Sequence, residues 1–146
     1  MSEQPRLLFL YTGGTLSMVQ AGDPGHLVPS KEAPDPYALV PSLKQVAEIE
    51  GRVVSNVDSS DLTPSDWGRL ATSIIDAHDD YDGFVVLHGT DTMTFTACAL
   101  SFMLGGNHKP VVFTGSQRPL SEPRTDARVN LVHSAICATM GIREVS

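Results

Sequence analysis

Short apolar runs alternate with longer segments of helical spacing along this chain. Four runs rich in β-branched and aromatic residues have the length of strands: Arg6–Tyr11, Arg52–Val57, Gly83–Leu87 and Pro110–Thr114. At least three of them are continuously apolar, which is typical of strands buried on both faces of a parallel sheet. Strands that alternate with helices in this way predict an α/β fold, in which helices cover both faces of a parallel sheet.

Helix starts are marked by capping residues and prolines. Thr63 offers an N-cap, Pro64 takes the first helical position and Asp66 the third. Pro41 would kink or restart the helix predicted over 35–48. Asp126 is predicted to cap the last helix. The predicted helices are 35–48, 64–75, 90–104 and 126–141, the last with Val129, Val132, Ile136 and Met140 on its apolar side, and the predicted loops are 13–30 and 116–125.

Composition and charge narrow the classes of function. The 146 residues fit one domain, which no linker or internal repeat divides. Acidic residues outnumber basic ones 17 to 10, for a formal charge of -7, so nucleic-acid binding through a basic face is not expected. No apolar run approaches the roughly 20 residues of a membrane span. Two cysteines, Cys98 and Cys137, and a start without the pattern of a signal peptide predict a cytoplasmic protein.

Each predicted strand is followed by a polar cluster. The clusters are Thr12–Thr15, Asp58–Asp61, His88–Thr92 and Gly115–Pro119. Because ligands of open parallel sheets bind beyond the carboxyl ends of the strands, the four clusters are expected to form one rim of hydroxyls, carboxylates and flexible backbone. The first cluster lacks the lysine of a phosphate loop and the spacing of a dinucleotide fingerprint. Nothing in the sequence has metal-ligand spacing.

The residue types in this rim suit acyl transfer from an amide better than phosphoryl or hydride transfer. A threonine hydroxyl such as that of Thr12 becomes a nucleophile when a base takes its proton and donors stabilise the oxyanion. Thr90 and Asp91 would orient a proton relay, and Ser59 and Ser60, with an acid, would hold the two charged ends of an amino acid.

Every cluster also has a plain structural interpretation, which the residues alone leave open. Gly13–Gly14 would make a tight turn, Thr90–Asp91 would cap a helix, and Asp58–Asp61 would form a turn before the capped helix. His88, at the end of a buried strand, would be a structural histidine with its hydrogen bonds satisfied, and Trp67 would belong to the core.

The motifs resemble the bacterial-type L-asparaginases, and the Asp-Ser-Ser-Asp form resembles the cytoplasmic type I branch. The residues that carry the resemblance are Tyr11–Leu16, Asp58–Trp67, Asp82–Met93, Leu100–Leu104, Lys109–Val111 and Thr114–Gln117. The resemblance implies hydrolysis of L-asparagine to L-aspartate and ammonia without a cofactor or metal. It also implies that residues 1–146 form a flavodoxin-like N-terminal catalytic domain, in a homodimer or homotetramer that binds neither nucleic acid nor membrane.

The same resemblance implies a role for each matching residue. Thr12 would be the nucleophile that forms a β-acyl-enzyme, and Thr90 and Asp91 would belong to a Thr-Lys-Asp relay. Asp58, Ser59 and Ser60 would bind the α-ammonium and α-carboxylate of the substrate, with Asp91 also meeting the ammonium. The backbone of Ser116 would contact the side-chain amide.

The sequence departs from the family pattern in three main respects and one smaller one. Family members are longer and carry a second, smaller domain, which is absent here, and their relay lysine lies in a part that this sequence does not contain. Lys109 precedes a strand on the wrong side of the sheet and is a poor substitute. His26 stands where many members have a tyrosine, and Ala127 where relatives commonly have glycine. An excised domain, a natural short form and an inactive fragment all remain open.

Two other functions remain open beside asparagine hydrolysis. One is a non-catalytic asparagine-binding domain, which the absent lysine favours. The other is a subunit of a tRNA-dependent amidotransferase, whose usual additional N-terminal domain is not present. Glutamine also remains open as an alternative substrate.

Overall fold

A computed structural model describes residues 4–14, 16, 18–20, 27–29, 32–106, 108–141 and 145. The strands are β1 (Arg6–Tyr11), β2 (Met18–Gln20), β3 (Leu27–Pro29), β4 (Glu48–Val53), β5 (Gly83–Leu87) and β6 (Val111–Thr114). The helices are α1 (Pro36–Leu39), α2 (Pro64–Asp76), α3 (Met93–Met103) and α4 (Ala127–Thr139), and single 3₁₀ turns span Pro41–Gln45 and Ser59–Asp61. No helix among these residues is long and apolar enough to cross a bilayer.

Four parallel strands form the central sheet in the order β4-β1-β5-β6, while β2 and β3 pair as a separate antiparallel hairpin. Alternate side chains of β1 enter two cores. Leu7 and Phe9 pack on face A, which α1 and α4 cover, whereas Leu8 and Leu10 pack on face B, which α2 and α3 cover. Burial of β1 on both faces explains its unbroken apolar sequence. The predicted α/β class, with a parallel sheet covered on both faces and a flavodoxin-like strand order, is confirmed.

Three element predictions differ from the structure. The second core strand, predicted at 52–57, spans Glu48–Val53, because β4 is the edge strand and alternates the exposed Glu48 and Glu50 with the buried Ile49. The predicted loop 13–30 contains the hairpin of β2 and β3, whose three-residue strands are too short to show a period. The helix predicted over 35–48 is α-helical only in α1, but the predicted break at Pro41 is confirmed, since α1 ends before it and a 3₁₀ turn begins there.

The side of α4 that was predicted to be apolar is mostly exposed. Val132 packs against the core on face A, but Val129, Ile136 and Met140 are exposed. The residues that face the sheet are small or polar apart from one leucine: Ala127, Leu131, Ser134, Ala135 and Ala138. Alanines let the helix axis approach the sheet closely, so the larger apolar side chains lie on the outer side of the helix. The hydrophobic pattern followed side-chain size, whereas packing against the sheet selected small side chains.

The connection after β6 has an unusual hand. Val145 bridges Val111 in parallel at the outer edge of β6. The connections β5-α3-β6 and β6-α4-Val145 therefore step in the same direction along the sheet, but α3 lies on face B and α4 on face A. The two connections therefore have opposite hands, whereas nearly all such crossovers are right-handed.

The start of α2 follows the predicted capping pattern. The carboxylate of Asp66 accepts the hydroxyl of Thr63 at 2.6 Å and its backbone N–H at 2.8 Å. These bonds, together with the neighbouring Arg69, lower the pKa of Asp66 to about 2. Both bonds are stronger to the ionised carboxylate than to the protonated group.

Asp66→Ala is expected to lower the free energy of unfolding by about 1 kcal/mol at neutral pH, through the lost cap. Because the folded pKa lies below the ordinary value of 3.8, this contribution is present above that value and is lost as the pH falls through about 2. Urea unfolding of both proteins at a series of pH values measures the difference. Asp76→Ala, at the carboxyl end of α2, is the control and is not expected to destabilise the protein. A difference that does not vary with pH would contradict the assignment.

Candidate active site

The carboxyl ends of the four strands lie level at one edge of the sheet, here called the carboxyl rim. Tyr11 pairs in register with Val53 on one side and with Leu87 on the other, and Leu87 pairs with Thr114. The strand order reverses at β1, so the topological switch point lies between β1 and β5. Doubly wound sheets bind ligands in the crevice at such a point. Thr12 follows β1 directly at this position.

The glycines of the first loop bring it against its neighbours. Gly13 has a φ of +120°, and a Cβ built on it would lie 2.2 Å from the carbonyl oxygen of Val57. Gly14 has a φ of +78°, and its Cβ would lie 2.8 Å from the Cα of Gly89. Both conformations favour glycine, and both approaches exclude a side chain. The first loop therefore packs backbone to backbone against the second and third loops.

Two further glycines complete the contact among the four loops. A Cβ on Gly89 would lie 2.7 Å from the Oγ of Ser59. One on Gly115 would lie 2.6 Å from the carbonyl oxygen of His88 and 3.1 Å from the Cγ2 of Thr90. The prediction that the four clusters form one rim is therefore confirmed, and the rim is closed by contacts that only glycine permits.

Thr12 is held by its hydroxyl and by both of its main-chain groups. Its side chain is buried, with 3% of the residue exposed. The backbone N–H and the hydroxyl both donate to the carbonyl oxygen of Leu87, at 3.0 and 2.9 Å, and the carbonyl of Thr12 accepts the hydroxyl of Ser55 at 2.9 Å. A peptide carbonyl is not a base, so the hydroxyl is positioned but not activated in this state. Nucleophilic attack would require the hydroxyl to leave Leu87 for a base.

The second loop combines a turn with a buried serine. Asp58 accepts the backbone N–H of Ser60 at 2.8 Å, so the interpretation of this cluster as a turn is confirmed. Asp58 and Ser60 are exposed, whereas Ser59 is buried. The hydroxyl of Thr92 donates to the carbonyl oxygen of Ser59 at 2.8 Å, which ties the second loop to the third.

Thr90 and Asp91 stand exposed at the rim. Helix α3 begins at Met93 with Thr92 at the N-cap, so the interpretation of Thr90 and Asp91 as helix caps is wrong. Neither side chain forms a hydrogen bond with another residue in the described ranges, which leaves the Asp91 carboxylate accessible to a ligand. Neither side chain therefore stabilises the rim through a hydrogen bond with a described residue.

His88 is buried and its protonation follows from its partners. The Nε1–H of Trp67 donates to the hydroxyl oxygen of Thr96 at 3.0 Å, and that oxygen lies 2.9 Å from Nε2 of His88. The carbonyl oxygen of Gly89 can only accept, so Nδ1 of His88 carries the proton that donates to it at 2.7 Å. In a neutral ring Nε2 is then the acceptor of the Thr96 hydroxyl. Burial lowers the pKa of His88, consistent with a neutral ring. The structural interpretation of His88 is confirmed.

Thr96→Val is expected to lower the free energy of unfolding by about 2 kcal/mol, because it leaves the Trp67 N–H and the buried His88 Nε2 without a partner. Valine keeps the shape of threonine, so the loss reports the hydroxyl rather than the packing. Chemical denaturation measures it, and Thr94→Val, at an exposed position of the same helix, is the matched control. Equal stability of the two variants would show that the network contributes nothing.

The fourth loop is fixed by the first turn of α4. Asp126 accepts the backbone N–H groups of Gln117 and Arg118 at 3.0 and 3.1 Å, and these bonds lower its pKa. Asn130 donates to the carbonyl oxygen of Gly115 at 2.9 Å. Asp126 occupies the N-cap position of α4, but its side chain makes no capping bond, so the prediction that it caps the helix is wrong in its physical basis. Its carboxylate is used by the loop instead.

A family model described as "Asparaginase, N-terminal" matches residues 6–146. The chain belongs to this asparaginase family. It is 45% identical over 141 residues to L-asparaginase 1 of Escherichia coli K12, covering 93% of this chain and 41% of that protein. It superposes on L-asparaginase I of Vibrio cholerae with a TM-score of 0.85 at 38% identity, covering 97% of this chain and 43% of the other.

A less similar relative of this asparaginase domain has a different name. A glutamyl-tRNA(Gln) amidotransferase subunit of Pyrococcus abyssi is 38% identical over 142 residues, covering 97% of this chain and 32% of that protein. The chain therefore spans about two-fifths or less of the length of the curated relatives it matches. The predicted membership of the asparaginase family is confirmed.

Lys109 lies away from the asparaginase rim, as predicted. It precedes β6, and its Nζ donates to the carbonyl oxygens of His78 and Tyr81. These contacts place it at the amino-terminal edge of the sheet, opposite Thr12. A cavity of about 650 Å³ at that same edge is lined by the start of β1, by Asp80 and Tyr81 and by the end of α4, and it does not reach the rim. His26 lies outside the described residues.

Three polar residues that hold the asparaginase rim together were missed in the sequence: Ser55, Thr92 and Asn130. Thr92 could have been noticed, because it belongs to the His88–Thr92 cluster. Its hydrogen bond to Ser59 is a tertiary contact that the sequence pattern does not predict. Ser55 and Asn130 lie outside the clusters and have no spacing that marks them. No group of histidine, cysteine, aspartate and glutamate within the described part of the chain has the arrangement of a metal site.

Proposed function

We propose that this chain carries the site at which an L-asparaginase of the cytoplasmic type I branch hydrolyses L-asparagine to L-aspartate and ammonia, without a cofactor. One observation carries the proposal: Thr12 lies buried at the switch point between β1 and β5, where the loops of Ser59, Thr90 and Ser116 meet. Relatives named L-asparaginase support the substrate.

In the proposed reaction, the Oγ of Thr12 attacks the side-chain amide carbon of asparagine and loses its proton to a base. The C–N bond breaks as the amide nitrogen takes up that proton and leaves as ammonia. Water then hydrolyses the β-acyl ester to release aspartate and regenerate the hydroxyl. Backbone N–H groups of the loop beside Thr12 would stabilise the oxyanion. Thr90 and Asp91 would move the proton, since their exposed side chains have no structural task.

The remaining site residues would bind the two charged ends of the amino acid. Asp58 and Asp91 offer carboxylates at the rim for the α-ammonium, and Ser59 and Ser60 offer hydroxyls for the α-carboxylate. Ser116 would contact the side-chain amide. Ser59 is buried and tied to Thr92, so it is a preorganised donor rather than a mobile one.

A non-catalytic asparagine-binding domain is the second candidate. The bond of the Thr12 hydroxyl to Leu87 favours it, because this hydroxyl is not hydrogen-bonded to a base within the described residues. The tRNA-amidotransferase subunit has no such observation in its favour, and its relatives are less similar. Residues 1–146 as a catalytic domain, assembly into a homodimer or homotetramer, and a cytoplasmic location belong to the same proposal.

The two candidates are separated by measuring asparagine binding and ammonia release with the same purified chain. We expect saturable binding and ammonia release from L-asparagine, with less from L-glutamine. Binding without release would favour the non-catalytic domain. Neither binding nor release would contradict both functions.

A further inference from the structure

One turn of α4 fixes the loop after β6 on both sides of Ser116. On one side, Asn130 donates to the carbonyl oxygen of Gly115 at 2.9 Å. On the other, Asp126 accepts the N–H groups of Gln117 and Arg118 at 3.0 and 3.1 Å. Asn130 also donates to Asp126 at 3.3 Å, which joins the two halves into one clamp. Ser116 is the residue between the clamped groups.

The clamp is not a by-product of helix capping. An aspartate at an N-cap ordinarily accepts a backbone N–H of its own helix, and Asp126 does not. The first N–H of α4, that of Ala127, is taken instead by the hydroxyl of Thr125 at 3.1 Å. The departure of Asp126 from the local rule indicates that its carboxylate stabilises the loop rather than the helix.

The hydroxyl of Ser116 lacks a hydrogen-bond partner among the described residues. The residue is 5% exposed, and the hydroxyl oxygen itself is buried. Buried hydroxyls are nearly always paired, because an unpaired one forfeits its bonds to water. Gly115 packs against His88 and Thr90, so this hydroxyl lies in the loop that adjoins the proposed relay. A clamped backbone keeps the serine from turning outward to find water.

We propose that Asp126, assisted by Asn130, is a positioning residue that fixes the loop 115–118 so that the buried Ser116 hydroxyl is ready to pair with the side-chain amide of asparagine. The inference rests on the proposed function and adds to it a role for the hydroxyl and for two residues of α4. A preorganised loop does not have to be ordered by the ligand, so the clamp acts chiefly on affinity.

The test compares Asp126→Asn, which keeps one carbonyl acceptor, with Asp126→Ala, which keeps none. Glu122→Gln is the matched control, since Glu122 is an exposed carboxylate of the same loop that only pairs with Arg118. Calorimetry measures asparagine affinity, and amide hydrogen exchange by NMR follows Gln117 and Arg118. We expect a graded loss of affinity, about tenfold or more for alanine, faster exchange at both amides, and no change in Glu122→Gln.

Ser116→Ala and the double variant Asp126→Ala/Ser116→Ala distinguish a role of Asp126 in positioning Ser116 from a merely structural role. If Asp126 acts through Ser116, Asp126→Ala weakens binding much less in the Ser116→Ala background than in the native chain. Additive losses, native affinity in both Asp126 variants, or unchanged amide exchange would each overturn the inference. A failure of the proposed function differs, because the native chain would then not bind asparagine. Amide exchange would in that case decide the clamp alone, faster exchange supporting it and unchanged exchange refuting it.

Discussion

Replacing Thr12 by alanine is expected to reduce ammonia release from L-asparagine about a thousandfold or more, while the chain stays folded. The variant lacks the atom that would form the acyl bond, and no neighbouring hydroxyl among the described residues occupies its position. Stability changes little, by about 1 kcal/mol at most, because the carbonyl of Leu87 keeps its bond from the backbone N–H of residue 12. Ammonia release at saturating asparagine and thermal unfolding measure the two effects.

Thr12→Ser is the matched variant, since it keeps a hydroxyl at the same place and removes only a methyl group. It should retain a substantial rate, so that the loss in alanine is assigned to the hydroxyl and not to packing. Asparagine binding should survive in both variants, because the charged ends of the substrate are bound by other loops. Native turnover in Thr12→Ala would refute the nucleophile assignment.

Gly13→Ala is expected to be the most damaging of the small substitutions in the rim. A Cβ at this position would overlap the carbonyl oxygen of Val57, and the φ of +120° is one that alanine rarely adopts. We expect a loss of about 3 kcal/mol or more in the free energy of unfolding, from backbone strain and a displaced second loop. Urea unfolding measures the loss, and asparagine binding should fall with it because Ser59 would move.

Gly68→Ala is the same chemical change and is expected to alter the free energy of unfolding in the opposite direction. Gly68 lies inside α2 with no atom near its Cβ position. Alanine there should raise stability by up to about 1 kcal/mol, since it lowers the entropy lost on folding. If both variants were equally stable, the close approach of the first and second loops would not exist in solution.

Much of the fold followed from the sequence because burial on two faces leaves a simple signal. β5 and all of β1 after Arg6 are buried, and both strands were predicted from their apolar runs. β4 was misplaced because an edge strand alternates exposed and buried residues. The buried side of α4 was missed because its alanines, rather than its larger apolar residues, face the sheet. These errors share a cause, since both depend on which neighbour an element packs against.

The meeting of the four loops at the rim was predictable from geometry, but the side chains that hold these loops in place were not. Parallel strands end at one edge, so polar residues after each strand had to meet, and Thr12, Ser59 and Thr90 do lie in contacting loops. The roles of Thr92, Asp126 and Asn130 depend on which carbonyl or N–H lies opposite each side chain. Such pairings arise from tertiary contacts that no local pattern encodes.

The bonds between Thr12 and Leu87 join positions 75 residues apart, which has a consequence for how the protein reaches its native state. Every strand pair in the sheet is parallel and therefore non-local, so closing these long loops costs entropy before any contact is gained. The rim cannot assemble before β1, β5 and β6 are paired. Asparagine binding is thus expected to appear late during refolding, after helical signal has returned, and to report completion of the sheet.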